Sequence, residues 1–293
     1  MRISSARDRR RIGFISLAGS LAVVLPSGHM VAPQLRVVRA PPGLVWRALD
    51  EDQVVGAVTA FLLPNDRWFV AFDACRADSY EPLLAAVSGN TGRDSYTTID
   101  DADESMLELL GRIGFTVVRR ESNFLIPTDP QVTGLQVDAE PDDVVVISAA
   151  DAFEDDLRSL DEALREDVPG AAGWKWDPGD FHEETFDSQF DPATYLIAVD
   201  SASGAYVGLA RVWIGPGIPR LGFIATLAPY RRRGLATMLL ARVFRVLHER
   251  GSKRVTAEVD DTNVASLSLL TRLGARRTGG SVELVKRAAV VAQ

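Results

Sequence analysis

The residues best suited to chemistry in this 293-residue chain lie in one stretch, 221–240, LGFIATLAPYRRRGLATMLL. A short apolar run, 221–227, is stopped by Pro229. A basic turn with a central glycine, Tyr230-Arg231-Arg232-Arg233-Gly234-Leu235-Ala236, then opens into a segment with helical apolar spacing. Amides exposed at such a turn and at the start of a helix attract anions, because their N–H dipoles converge where the helix dipole is positive. Gly234 and Ala236 leave room for close approach to the backbone, and arginines add charge-assisted bonds to phosphate oxygens. The stretch is therefore expected to hold the pyrophosphate of a coenzyme.

The rest of the chain reads as alternating short strands and amphipathic helices. Strands are expected over 35–39, 44–49, 54–63, 68–74, 96–99 and 115–126, with helices at 79–87 and 105–113. Ser88 to Gly92 is read as a helix breaker. Residues 129–143, rich in proline and acid, are expected to be a linker. Beyond them the spacing predicts helices over 152–166 and 180–190, a hairpin of 195–199 with 205–214, and the coenzyme strand. A helix to about Arg250, a strand over 254–260, a helix over 263–273 and a last strand over 282–286 complete the pattern.

An internal repeat organises these elements. With an offset of 160 residues, IDDADESMLELLGRIGF (99–115) lies over VDDTNVASLSLLTRLGA (259–275) without a gap, matching Asp100 to Asp260, Leu110 to Leu270 and Gly114 to Gly274. Val54-Val55-Gly56 echoes Tyr206-Val207-Gly208. Identical strand-turn-helix junctions indicate duplication, hence two copies of one fold. Arg-x-x-Gly-x-Ala occurs in the second copy and has no counterpart between Trp68 and Val87.

Composition narrows the classes. A chain 46% apolar and 25% charged is globular, and a net charge of −8 lacks the broad basic face of general nucleic-acid binding. Cys75, the single cysteine, excludes an intrachain disulfide and a cysteine-built zinc site. His29, His182 and His248 are scattered and form no metal motif. Basic residues in 7–11 before the apolar run 12–25 look like a loose export signal. That run is short for a membrane span and no A-x-A site follows. Residues 1–34 are read instead as an extension to a cytoplasmic protein, since a coenzyme-dependent enzyme needs its coenzyme.

Strand, proline break, basic turn, helix, strand and Asn-headed helix fall in the order of the GNAT superfamily of acetyl-CoA-dependent N-acyltransferases, which the segment 144–286 resembles. The resemblance extends to 35–127 as a degenerate copy. It implies a mixed α/β fold, largely antiparallel and flanked by helices, with two tandem GNAT-like domains at 35–128 and 144–287. The family pattern Gln/Arg-x-x-Gly-x-Gly/Ala maps onto Arg231, Gly234 and Ala236. It implies that the amides from Arg231 to Thr237, Leu235 included, meet the coenzyme pyrophosphate, with Arg232 and Arg233 adding contacts. The coenzyme strand splays from its neighbour, and the Leu227 amide is expected to polarise the thioester carbonyl. Asn263 matches an asparagine that reaches the coenzyme, and it is equally a helix N-cap.

Catalysis in the family is direct transfer to a bound amine, which calls for a base. Glu258 is the best candidate, with Tyr230 a weaker one. The family tyrosine that serves as acid is replaced here by Leu270, within Leu269-Leu270-Thr271-Arg272-Leu273-Gly274-Ala275. By family analogy the acceptor lies against 153–190, where Trp174, Trp176 and Asp177 combine aromatic and acidic character suited to a cationic amine. The expectation is an acetyl-CoA-dependent N-acetyltransferase acting on a small-molecule or protein amine, without metal, nucleic acid or membrane, and possibly as a homodimer. A non-enzymatic acyl-CoA sensor is the alternative.

Overall fold

Alternating strand patterns with tight polar turns fold locally into hairpins, and the chain is built from them. The computed structural model describes residues 35–40, 44–136 and 141–288. The expected extension over 1–34 lies outside the described residues. Contacts divide the chain into two units. The first holds the residues up to Thr98, Ser105–Thr116 and the segment from Leu284; the second holds Ile99–Glu104 and Val117–Glu283.

In the first unit the strands β1 (Arg36–Ala40), β2 (Val45–Asp50), β3 (Gln53–Leu62) and β4 (Trp68–Asp73) form an antiparallel series. Helix α1 (Tyr80–Thr91) follows, and β5 (Ser95–Asp100) then pairs parallel with β4. Helix α2 is Glu104–Arg112. Alternation along the strands turns Trp46, Ala48, Val58, Ala60 and Val70 inward, where α1 meets them with Tyr80, Leu83, Leu84 and Val87. Helix α1 runs one turn further than expected. Ser88 to Thr91 stay helical, and the chain turns only at Gly92, which takes the left-handed φ of 62° at the C-cap.

Strand β6 (Thr116–Pro127), which the sequence pattern assigns to the N-terminal half, belongs from Val117 to the second unit and pairs with β11 over Glu121–Pro127. The expected linker contains a short helix, α3 (Pro130–Thr133), capped by Asp129 and closed by Gly134 at φ 66°. Strand β7 (Val144–Ser148) leads to helices α4 (Glu154–Arg165) and α5 (Pro178–Thr185). Next come the hairpin β8 (Tyr195–Asp200) and β9 (Tyr206–Trp213), β10 (Arg220–Thr226), α6 (Leu235–Glu249), β11 (Arg254–Asp260), α7 (Val264–Arg272) and β12 (Arg276–Lys286). The strand order is β12-β6-β11-β10-β9-β8-β7. Neighbours from β11 back to β6 and from β10 to β7 are antiparallel; β10 and β11 are parallel.

Two apolar layers sandwich this sheet. On one face α6 buries Leu235, Met238, Leu239, Leu240, Val243, Phe244 and Leu247 against Val212, Leu221, Val255 and Ala257. Each such side chain contributes about 1.5–3 kcal/mol by removal from water. On the other face α4 and α5 place Leu157, Leu160, Leu164 and Phe181 over Tyr195, Ile197 and Leu209, with Phe223, Ala225 and Leu227 at the margin.

The repeat is structural. Helix α2 (Glu104–Arg112) and helix α7 (Val264–Arg272) have identical bounds at the offset of 160, and β6 and β12 begin at Thr116 and Arg276 with the same offset. Strand β12 therefore starts six residues before the expected Val282, through a glycine pair that mimics a breaker in sequence.

Candidate active site

Strand β10 has two different edges. Toward β9 it pairs as far as Thr226 opposite Gly208, after a bulge between Leu221 and Phe223. Toward β11 it pairs only at Arg220 with Thr256 and Leu221 with Ala257. Beyond Leu221 the two parallel strands part, and the edge of β10 from Phe223 onward faces the gap. The glycine at the fork is a steric requirement: a Cβ on Gly222 would lie 1.8 Å from Trp213 Cζ3.

The amide of Leu227, expected to polarise a thioester, donates instead to the Val207 carbonyl at 2.8 Å. In an antiparallel ladder, backbone groups point alternately toward and away from the partner. With Leu227 directed at β9, Thr226 and Ile224 direct their amides and carbonyls into the gap. One residue decides the register, and a bulge in β10 makes that register illegible from sequence.

After β10 the chain passes a 3-10 turn, Ala228–Tyr230, and residues 231–234 before α6 starts. Arg232 has φ 64° and Gly234 has φ 83°, so left-handed residues alternate with ordinary ones. This geometry gathers successive N–H groups into an anion-binding concavity. Holding arginine there costs on the order of 1 kcal/mol, a strain found at binding turns. The first intrahelical bond runs from the Met238 amide to the Gly234 carbonyl at 2.9 Å. The amides of Leu235, Ala236 and Thr237 precede it and project from the helix N-terminus, where no acidic side chain competes. The Arg231 amide is not part of this set, since it donates to the Ala228 carbonyl at 3.2 Å.

The three arginines divide their roles. Arg231 folds back, Nε to the Thr226 carbonyl at 3.2 Å and Nη2 to Asp167, and ties the turn to the end of β10. Arg233 pairs with Asp143 and lies 5.4 Å from the Tyr230 ring centroid. Arg232 is exposed and has no ion-pair partner among the described residues. Tyr230 donates its hydroxyl to Asp200 at 2.9 Å, which raises the phenol's pKa and removes it from the weaker base role.

Glu258 is the first β11 residue beyond the last pair of the fork, on the face opposite buried Ala257 and Val259. It is half exposed and meets Arg220 at 3.3 Å. Across β6, Glu121 stands opposite Asp260. Burial pushes its carboxyl upward; Arg119 pulls it down, while Glu258 and Glu283 oppose its ionisation. Glu121 escaped the sequence reading because its strand lies outside the segment 144–286 and precedes its partner β11 by over a hundred residues. Asn263 caps α7, accepting from the Ser266 amide at 3.1 Å. Leu270 is buried among core residues, and the Thr271 hydroxyl donates to the Leu267 carbonyl at 2.8 Å, so neither faces the fork as an acid.

Trp174, Trp176 and Asp177 do not form an open cage for a cation. Arg165 already stands over both indoles, 4.7 Å from Trp174 and 5.6 Å from Trp176. Trp176 Nε1 donates to Asp161 at 2.8 Å, and Asp177 caps α5 through the amides of Gly179 and Asp180. The acid-aromatic composition is real, but an internal arginine occupies it.

A model of the acetyltransferase (GNAT) family matches residues 157–275, a span that contains the fork, the turn and the Asn263 helix. These residues form a GNAT acetyltransferase domain. No curated protein matches the chain in sequence. Among solved structures, a GCN5-related N-acetyltransferase from Sphaerobacter thermophilus is 19% identical with a TM-score of 0.62, over 83% of this chain and 80% of that one. A tandem GNAT protein from the clavulanic acid biosynthesis pathway is 16% identical with a TM-score of 0.60, over 85% and 83%. A GCN5-related N-acetyltransferase from Kribbella flavida is 18% identical with a TM-score of 0.51, over 88% and 91%. At these identities the likeness is one of fold, and it includes a tandem GNAT architecture.

The first unit has a similar fork and no such cradle. Strands β4 and β5 pair only at Trp68 with Ser95 and Phe69 with Tyr96, and the Arg76 amide donates to the Val55 carbonyl at 2.8 Å, as Leu227 does to Val207. There the 3-10 turn Ala77–Ser79 runs straight into α1, with nothing in place of 231–234. The first turn of α1 carries Glu81, which repels anions, and Pro82, which has no N–H.

Proposed function

We propose that the second unit transfers an acetyl group from acetyl-CoA to a primary amine by direct attack within a ternary complex. One observation carries this reading: the fork after Leu221 and the amide cradle before α6 belong to one continuous strand-turn-helix. A pyrophosphate held at residues 232–237 therefore directs its arm along the open edge of β10 toward Glu258. When bound, acetyl-CoA supplies an acyl thioester. The Arg232 side chain and the cradle amides hold phosphate, and the Ile224 and Thr226 amides face the gap to receive developing oxyanion charge. Glu258 takes the proton from the ammonium, so that a neutral nitrogen forms the N–C bond as the C–S bond breaks, and the second proton shed by that nitrogen passes through water to the departing thiolate.

The buried Leu270 favours one competing reading, a sensor that binds acyl-CoA without turnover. Calorimetry with acetyl-CoA and a thiol-release assay over an amine panel separate the two. Saturable binding with turnover that falls in Glu258→Gln supports the enzyme. Binding with no turnover on any amine supports the sensor, and no binding overturns both. Acetyl-CoA supply places this activity in the cytoplasm. Among the described residues no helix is long and apolar enough to cross a membrane.

A further inference from the structure

On the face of the second unit covered by α4 and α5, buried hydrogen-bond donors exceed acceptors. Asp161 is 0% exposed and both its oxygens are occupied. Arg165 Nε lies 2.5 Å and Trp176 Nε1 2.8 Å from Oδ1, and Arg165 Nη2 lies 3.4 Å from Oδ2. Arg211, 5% exposed, adds a second guanidinium. It lies 5.4 Å from the Tyr195 ring centroid and 4.5 Å from that of Trp213, within the attraction of Asp161. No carboxylate among the described residues forms an ion pair with Arg211, and its buried Nε has no partner.

The same is true of its neighbours. Tyr195 is 1% exposed and its hydroxyl proton meets no acceptor; the indole N–H groups of Trp174 and Trp213 are buried without one. Burial holds the Tyr195 phenol protonated, its pKa pushed up to about 12 against the pull of Arg211, so it is a donor at every physiological pH. Two guanidiniums thus face one carboxylate, and four donors lack acceptors. Each such group costs about 1–3 kcal/mol, and folded proteins rarely leave several together. A species with planar acceptor oxygens, one negative charge and no donors satisfies the set, and a carboxylate has that description.

The cluster stands beside the proposed transfer point. Arg211 is the register partner of both Tyr195 and Phe223, and Phe223 is the first β10 residue past the Gly222 fork. The Phe223 ring lies 5.2 Å from the Arg165 guanidinium. We propose that Arg211 and Tyr195, with the Trp213 indole, recognise a carboxylate on the acceptor, which makes the acceptor an amino acid or another amine bearing a carboxylate. This rests on the acetyltransferase reading of the same site.

The test uses acceptor pairs that differ by a carboxylate: L-phenylalanine with phenethylamine, L-tryptophan with tryptamine, and L-lysine with cadaverine. In thiol release the carboxylate-bearing member is expected to have the higher kcat/KM. Arg211→Met and Tyr195→Phe should raise its KM by about 10–100-fold, the loss of charge-assisted hydrogen bonding. They should leave the decarboxylated amine and acetyl-CoA affinity unchanged. Tyr195→Phe removes a single oxygen, so the result does not depend on Arg211→Met folding. Equal use of both members, or a preference intact in both variants, overturns the proposal. If no amine is turned over, the acetyltransferase reading fails and the cluster is read alone by calorimetry with N-acetyl-L-phenylalanine against N-acetylphenethylamine. Binding of the first only, lost in Arg211→Met, upholds carboxylate recognition; binding of neither overturns it.

Discussion

Two glycines of the second unit share one backbone conformation and differ in what that conformation serves. Gly234 and Gly251 both have φ 83°, and a Cβ built on either meets nothing within 4 Å. Replacing either by valine is therefore a pure backbone perturbation, and a β-branched residue at positive φ costs about 1–2 kcal/mol. At Gly251, past the end of α6, the cost is expected as lost stability alone. At Gly234 the turn escapes the strain by leaving the left-handed region, which redirects the adjacent amides. Losing two charge-assisted phosphate bonds at about 1.5–3 kcal/mol each removes roughly 3–6 kcal/mol of binding. That is a fall in acetyl-CoA affinity of about 100-fold or more, at about 1.4 kcal/mol per tenfold. Calorimetry with acetyl-CoA and thermal unfolding of Gly234→Val and Gly251→Val measure the two effects separately. If Gly234→Val binds as the parent does while its stability falls like that of Gly251→Val, residues 232–237 do not hold the pyrophosphate.

Glu258→Gln should lower kcat about 100-fold or more in a thiol-release assay, with acetyl-CoA affinity kept. Asp161→Ala leaves the half-buried Arg165 guanidinium beside an unpaired Trp176 indole, and chemical denaturation should record a loss of about 3 kcal/mol. Gly222→Ala forces Trp213 from its seat, an overpacking cost of about 1–3 kcal/mol readable in thermal unfolding and in altered tryptophan fluorescence. Asp200 is held down to about 2, first by the Ser203 hydroxyl, then by the Ser203 amide and Tyr230. Its folded pKa is below its unfolded one, so its contribution is present above pH about 3.8 and fades toward pH 2. Asp200→Asn should flatten acid unfolding in that window, as followed by circular dichroism.

The positions of the elements were largely legible, because apolar periodicity and turn residues act locally. The 160-residue offset carries α2 onto α7 residue for residue, each within a residue of its expected bounds, since a duplicated junction repeats both its cap and its core pattern. Misreadings arose where local signals compete with packing. Ser88 to Thr91 carries breaker residues, yet it completes a helix whose inner face is already buried. The linker held a helix because Asp129, Pro130 and Gly134 supply a full set of caps. Strand β6 belongs by packing with β11, a partner over a hundred residues away that no local pattern reveals.

By itself the sequence determined the duplication, the strand-turn-helix proposed to hold phosphate and the absence of that turn from the first copy. Each is encoded in contiguous residues, through spacing, chirality and the left-handed tolerance of glycine. Only the tertiary structure decided which amides face the fork, which arginine of three has no ion pair among the described residues, and that the tryptophan pair already holds an arginine. Those outcomes depend on a one-residue register shift and on charges that find each other across the sheet, and neither distance nor register is written along the chain.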